Sequence, residues 1–231
     1  MRMFLDAIRT LIYPSYCLMC NQPNTPLCTS CRYKWQNSSR DFLISNHKVS
    51  AAIPYDDRVA RIVLSAKEDN LEAAKDCILI GLNAAFRQLV RVQDIPDATL
   101  LISIPSSQAA NRRRGGDYLF NLSHQIPKNS KYPISKLLTA PKAPLLFQKS
   151  NVRDQSGLTA RERMQNMESA IYVNPRIAAK LKDSHTTVLL MDDVITSGAT
   201  LKSAISALVA SKITVIGAIA ACASRHQMRI P

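Results

Sequence analysis

The stretch Val188-Leu-Leu-Met-Asp192-Asp193-Val-Ile-Thr196-Ser197-Gly198-Ala199-Thr200 limits what this chain can fold into more than any other. An apolar strand, Val188 to Met191, ends in two adjacent acids. Two apolar residues and a run of small hydroxyl residues then open a helix over Ala199 to Ser211, with Leu201, Ile205, Leu208 and Val209 as its buried face. Open α/β sheets place ligands at the carboxyl ends of their strands. The first helical turn is expected over Thr196 to Thr200, where bare amides and the helix dipole suit a phosphate. Thr196, Ser197 and Thr200 add hydroxyl donors, and Gly198 lets the main chain approach the anion closely. Asp192 and Asp193 would repel that phosphate, so they need another task. Either they accept hydrogen bonds from sugar hydroxyls, or they ligate a Mg²⁺ that the sugar also touches.

The remaining pattern supplies a scaffold. Val49 to Tyr55 reads as a strand, and Asp57 to Ala66 and Asn70 to Val92 read as helices. Asp69 with Glu72 three residues on has the form of a helix-start signal. Thr99 to Ile104 is a strand stopped by Pro105, Tyr118 to Gln125 a helix, and Pro133 to Leu138 a candidate strand. Thr139 to Arg163 is polar, basic and longer than an ordinary connection, with a capping-box pattern at Thr159 to Glu162. Ile213 to Ala220 closes a strand–helix–strand unit. Uninterrupted apolar strands in such units imply a parallel sheet covered on both faces.

Cys17-x-x-Cys20 and Cys28-x-x-Cys31 are two pairs separated by seven residues. Tetrahedral Zn²⁺ needs four soft ligands converging from two turns, and each Cys-x-x-Cys supplies two. A redox pair explains one such motif, not two, so a structural zinc site is expected. Four thiolates would close the coordination shell. Asn37 to Asn46 is polar, which suggests a division into residues 1–45 and residues 46–231.

The formal net charge of +13 over 231 residues favours phosphate-rich partners, while 46% hydrophobic and 20% charged residues exclude a disordered chain. Phe4, Leu5, Ile8, Leu11 and Ile12 fall at helical spacing, interrupted by Arg2, Asp6 and Arg9, which does not suit a signal peptide. Ile213 to Ala223 is too short to span a bilayer as a helix. No membrane insertion is expected, and a cytoplasmic location is the default.

The Val188–Thr200 stretch resembles the signature with which type I phosphoribosyltransferases bind 5-phosphoribosyl-1-pyrophosphate (PRPP). Three further features follow in family order: the four cysteines, an Arg-rich segment ending in Arg114-Gly115, and Gln155-Ser156-Gly157-Leu158 with Arg163 and Asn166 beyond it. On these, nearly the whole chain is similar to the ComF family of competence proteins, to which the protein called GntX is also similar. The resemblance implies a type I phosphoribosyltransferase-like parallel sheet with flanking helices, plus a small N-terminal four-cysteine zinc module. It implies that Asp192 and Asp193 hold the ribose 2- and 3-hydroxyls and that Thr196, Ser197, Gly198, Ala199 and Thr200 hold the 5-phosphate. Ser106 and Ser107, with Arg112, Arg113 and Arg114, sit where a pyrophosphate loop belongs. Lys149, Arg153 and Arg163 sit where a lid belongs. The arginine run could equally grip a nucleic-acid backbone or form a solvated turn.

The implied activity is phosphoribosyl transfer with Mg²⁺ and PRPP, in the setting of natural transformation and association with DNA-uptake proteins. The competing expectation is a non-catalytic module binding single-stranded DNA, to which Tyr33 and Trp35 beside Arg32 and Lys34 would contribute stacking. Two segments depart from the family: Gly116-Asp117-Tyr118 stands where Phe-Asn-Gln is usual, and Ser65 to Asp69 where Leu-Lys-Tyr-Arg-Gly is usual.

Overall fold

The computed structural model describes residues 16–125, 141–148, 171–182 and 186–229. In chain order these form α1 (Thr29–Asn37), β1 (Arg40–Ile44), β2 (His47–Pro54), α2 (Asp57–Lys67), α3 (Glu72–Val92), β3 (Thr99–Ser103), α4 (Gln108–Arg114) and α5 (Tyr118–Gln125). Then come β4 (Leu146–Gln148), β5 (Ile171–Val173), α6 (Pro175–Lys182), β6 (Thr187–Ile195), α7 (Ala199–Ala210) and β7 (Thr214–Ala223). The expected N-terminal helix, the strand at Pro133–Leu138 and the capping box at Thr159–Glu162 lie outside the described residues.

The main sheet has the order β1-β2-β7-β6-β3. β2, β7, β6 and β3 run parallel, and β1 joins antiparallel through a hairpin. The centre is apolar on both sides, with Val188 to Met191 and Ala218 to Ala223 buried without break. That is what a sheet covered on both faces requires. The connection β2→β3 crosses the sheet in one direction, while β3→β6 and β6→β7 cross in the other. Right-handed crossovers therefore put α2 and α3 on one face and α4, α5 and α7 on the opposite face. The chain is a mixed α/β protein with a mostly parallel central sheet flanked by helices. β4 and β5 make a separate two-stranded antiparallel ribbon.

α2 starts where Asp56 accepts hydrogen bonds from Arg58 N (3.0 Å) and Val59 N (2.9 Å), satisfying two amides of the first turn. Its Val59, Ile62, Val63 and Ala66 make one buried stripe. α3 is buried on more than the one face its periodicity suggested, because α1 and α2 both pack on it as well as the sheet. Its start differs from expectation too: the cap position is Leu71, with no side-chain cap. Asn70 takes a left-handed turn (φ 54°) just before it, and Glu72 pairs with Lys75 (2.7 Å) instead of reaching back.

The boundary expected near residue 45 falls in the tight turn of the β1–β2 hairpin, where Ser45 and Asn46 both have positive φ. Cys17, Met19, Leu27, Cys28, Cys31 and Trp35 belong to the same buried cluster as the sheet residues. Trp35 is the joint. It is fully buried, its Nε1 donates to Met19 Sδ (2.9 Å), and a Cβ at Gly81 of α3 would stand 2.8 Å from its ring. Trp35 is thus a core residue and not the stacking platform considered above; Tyr33 is exposed. No helix among the described residues is long and apolar enough to cross a membrane.

Candidate functional site

The acid pair lies within β6, not beyond it. The strand continues past Met191 because Asp192, Val194 and Ile195 keep pairing with Ala220, Cys222 and Ala223 of β7. Asp193 is buried at 3% exposure, and its carbonyl accepts from Cys222 Sγ (3.1 Å). Lys67, the last residue of α2, brings its Nζ within 2.7 Å of Asp193 Oδ2. Beyond this ion pair, that buried oxygen has no aligned hydrogen-bond donor among the described residues. Asp193 N donates to Asp192 Oδ1 (2.9 Å).

Burial, and then the charge of Asp193, push the Asp192 carboxyl well above the usual carboxylate range; Lys67 only partly offsets them. Burial disfavours the Lys67 ammonium, but Asp193 outweighs it and holds Lys67 above its ordinary value. Asp193 Oδ2 therefore carries acceptor capacity that the other described residues leave unused.

The loop after β6 is held from below. Ser224 Oγ donates to the Thr196 carbonyl (2.9 Å), Gln227 Nε2 to the Ser197 carbonyl (3.1 Å), and Ser224 N to the Ile195 carbonyl (2.8 Å). Gly198 sits in the left-handed region (φ 77°), and a Cβ there would meet Ile44 Cδ1 at 2.7 Å, so the position takes glycine on two grounds. α7 begins at Ala199, as its apolar spacing indicated, so only Ala199 and Thr200 of the Thr196–Thr200 phosphate segment are helical. Thr196 to Gly198 make a bend, because the sheet pairing of Ile195 keeps the chain extended up to that point. Ala199 N donates to Ser197 Oγ (3.3 Å). Thr196 and Ser197 are exposed, while Thr200 is half-buried and faces the acids.

A cleft of about 330 Å³ opens at this end of the sheet, lined among others by Lys67, Ser106, Ser107, Arg114, Asp192, Asp193 and Thr200. Chain segments far apart in sequence thus meet at one place. Ser107 caps α4 by accepting from Ala110 N (3.2 Å). Asp117 anchors the β3–α4 loop, accepting from Ser106 N (3.3 Å) and Asn111 Nδ2 (3.4 Å). Asp117 thus has a structural task.

α4 divides the three arginines, which form neither a turn nor a single clamp. Arg114 is turned inward to the cleft and bonds Glu68 Oε1 through Nε (3.1 Å), while Arg112 and Arg113 face solvent. Lys149, Arg153 and Arg163 lie outside the described residues.

Lys67 was not singled out as a partner of the acids, nor Glu68 as a partner of Arg114. Their signal was present: a cation and an acid at the end of an amphipathic helix leading away from a strand. Tyr118 was also missed as more than a helix residue. Its hydroxyl is buried without a hydrogen-bond partner among the described residues, and burial plus the charge of Asp193 push its pKa up.

The second constellation is the cysteine cluster. The sulfurs of Cys17, Cys20, Cys28 and Cys31 all lie within 4.8 Å of one another, with Cys20 and Cys28 at 3.6 Å. Four thiolates at the usual Zn–S distance stand about 3.8 Å apart. The cluster can hold a metal such as zinc. Burial opposes ionisation of Cys17, but the amides of Cys28, Cys20 and Met19 outweigh it and bring the thiol down to about 6. Cys77 and Cys222 are buried thiols outside this cluster, and burial first of all raises both. No protein-family model matches the chain, and no curated protein matches it.

Proposed function

We propose that this protein binds PRPP in the 330 Å³ cleft and belongs, by its fold, with the type I phosphoribosyltransferases. The observation that carries the reading is the convergence in one cleft of Asp192 and Asp193, Thr200 in the first turn of α7, and a facing Ser106-Ser107 loop backed by Arg114. Asp192 and Asp193 accept hydrogen bonds from the ribose hydroxyls. Those donors suit the buried Asp193 Oδ2, which has acceptor capacity to spare. Thr196 to Thr200 and the amides opening α7 hold the 5-phosphate. Ser106, Ser107 and Arg114 face the pyrophosphate.

Transfer at the anomeric carbon passes through an oxocarbenium-like state. The residues contribute positioning, charge complementarity and water exclusion, and no side-chain nucleophile is required. The neighbouring carboxylates of Asp192 and Asp193 suit a Mg²⁺ arriving with PRPP, and the ion would neutralise phosphate charge. The role in natural transformation follows from the family resemblance and forms part of the same proposal.

Titration of PRPP with Mg²⁺ tests it. Saturable binding, weakened at least tenfold by Asp193→Asn, is expected; release of pyrophosphate on adding an acceptor would make the protein an enzyme. Binding of single-stranded DNA that ignores PRPP and survives Asp193→Asn would replace this reading. The exposed Arg112 and Arg113 on α4 are the residues such binding would use.

A further inference from the structure

A second polar pocket lies in the seam between the C-terminal halves of α1 and α3. It measures about 130 Å³ and is lined by Gln36, Asn37, Ser39, Arg87, Gln88 and Arg91. α3 rises about 1.5 Å per residue, so this end stands about 25 Å along the helix from its start beside the cleft. Arg87 and Arg91 are one turn apart and present their guanidinium groups on the same face. Neither has a carboxylate partner among the described residues. Between α1 and β1, the Ser39 hydroxyl is buried with no hydrogen-bond partner among the described residues.

Asp41, which reaches the seam through Gln88, is already committed. One of its oxygens accepts from Ser50 Oγ and the other from Gln88 Nε2 (2.6 Å). The carbonyls at the end of α3 are partly quenched too, since Leu89 O accepts from Gln93 N (3.1 Å) and Val92 O from Lys48 Nζ.

We infer that the Arg87–Arg91 pocket is a second oxyanion site, taking a phosphate group either free or as a phosphomonoester. Two guanidinium groups supply paired donors, Ser39 Oγ a third, and Asn37 and Gln36 border the opening. A volume of 130 Å³ is well below that of pockets enclosing drug-sized ligands, typically 300 Å³ or more, and accommodates a single tetrahedral anion. The site is separate from the sugar-phosphate cleft and does not rest on the function proposed for it.

Trp35, the one tryptophan of the chain, immediately precedes Gln36 and reports on this seam. The full-length protein would be titrated with sodium phosphate, and separately with methyl phosphate, at ionic strength held constant with sodium chloride. The expected result is a saturable change in Trp35 emission that weakens by about tenfold in Arg87→Gln and in Arg91→Gln. The change should persist in Thr200→Ala, which alters the other phosphate site. A response to both ligands assigns a monoester-accepting site, and a response to phosphate alone a site for the free anion. The inference is overturned if chloride reproduces the change, if both arginine variants titrate like the parent, or if Thr200→Ala alone abolishes it. Matching thermal unfolding of the variants in chloride would show that they remain folded.

Discussion

The four-cysteine cluster and the acid-pair cleft are both knots of ionisable groups brought together by the same buried core, yet they are finished differently. The four sulfurs face one another, take amide hydrogen bonds such as Cys28 N to Cys17 Sγ (3.5 Å), and would fill a tetrahedral metal's shell. The cleft is left incomplete: among the described residues Asp193 Oδ2 lacks an aligned donor, and Asp192 is held away from easy ionisation. A closed constellation stabilises the fold. An open one costs stability and is the mark of a place where a ligand completes the structure.

Breaking the closed member should have the largest effect. Cys28→Ser, or a strong chelator, removes a ligand set whose zinc affinity in comparable small modules amounts to about 10–16 kcal/mol of folding free energy. Trp35 then loses Met19 as an acceptor and its seat on Gly81, and its emission should shift to the red as α1 lifts from α3. An unchanged emission spectrum after complete metal removal would mean that the cysteines do not hold α1 in place. Next comes Lys67→Met. It strands Asp193, 3% exposed, beside Asp192 with no cation, and loss of one partner of a buried pair costs about 3 kcal/mol or more. Urea unfolding would read it; a loss near zero would show that solvent already screens the pair and that the cleft is more open than its burial indicates.

These two regions were not equally legible in the sequence. The cysteine motif announces itself because all of its ligands lie within fifteen residues and spacing alone defines the geometry. Strand β6, helix α7 and the acid pair were readable for a related reason: period, charge and hydroxyl content change within one short stretch. Lys67 was not readable as the partner of Asp193, because that pairing depends on how far α2 runs before the turn at Asn70, and 126 residues separate the two. The division of the three arginines was hidden for want of a helical period: Gln108 to Arg114 has no buried residue, so nothing in its hydropathy shows which arginine turns inward. The burial of Trp35 depended on Gly81, a glycine in mid-helix whose purpose appears only when the ring is seen against it.

A smaller effect is expected at the rim of the cleft. Ser107→Ala removes the hydroxyl that accepts from Ala110 N, and loss of such a cap costs about 1 kcal/mol. If Ser107 serves α4 alone, affinity for PRPP should stay within a factor of two. If its hydroxyl also faces the pyrophosphate, affinity should fall further than the stability loss explains. Comparing Ser107→Ala with Ser107→Thr, which keeps the cap, separates the two roles in one titration series.

The smallest change should run in the opposite direction. Because burial and Asp193 raise the Asp192 pKa in the folded chain, ionising Asp192 costs folding energy. That cost is absent below the unfolded value of about 4, where both states are protonated, grows as pH rises from there toward the raised folded value, and is constant above it. Asp192→Asn escapes the cost while its carboxamide oxygen can still accept from Asp193 N. The variant should therefore match the parent near pH 3.5 and become more stable than it as pH rises toward 8. The same substitution removes a charged acceptor from the ribose hydroxyls, so PRPP affinity should drop as stability rises. In the parent, affinity should climb with pH as Asp192 ionises, and this slope should vanish in Asp192→Asn. Thermal unfolding and PRPP titration across pH 3.5–8 measure both. A variant less stable than the parent at pH 8 would show that Lys67 neutralises both acids, which would make the cleft as closed as the cysteine cluster and leave no unsatisfied acceptor for a ligand to complete.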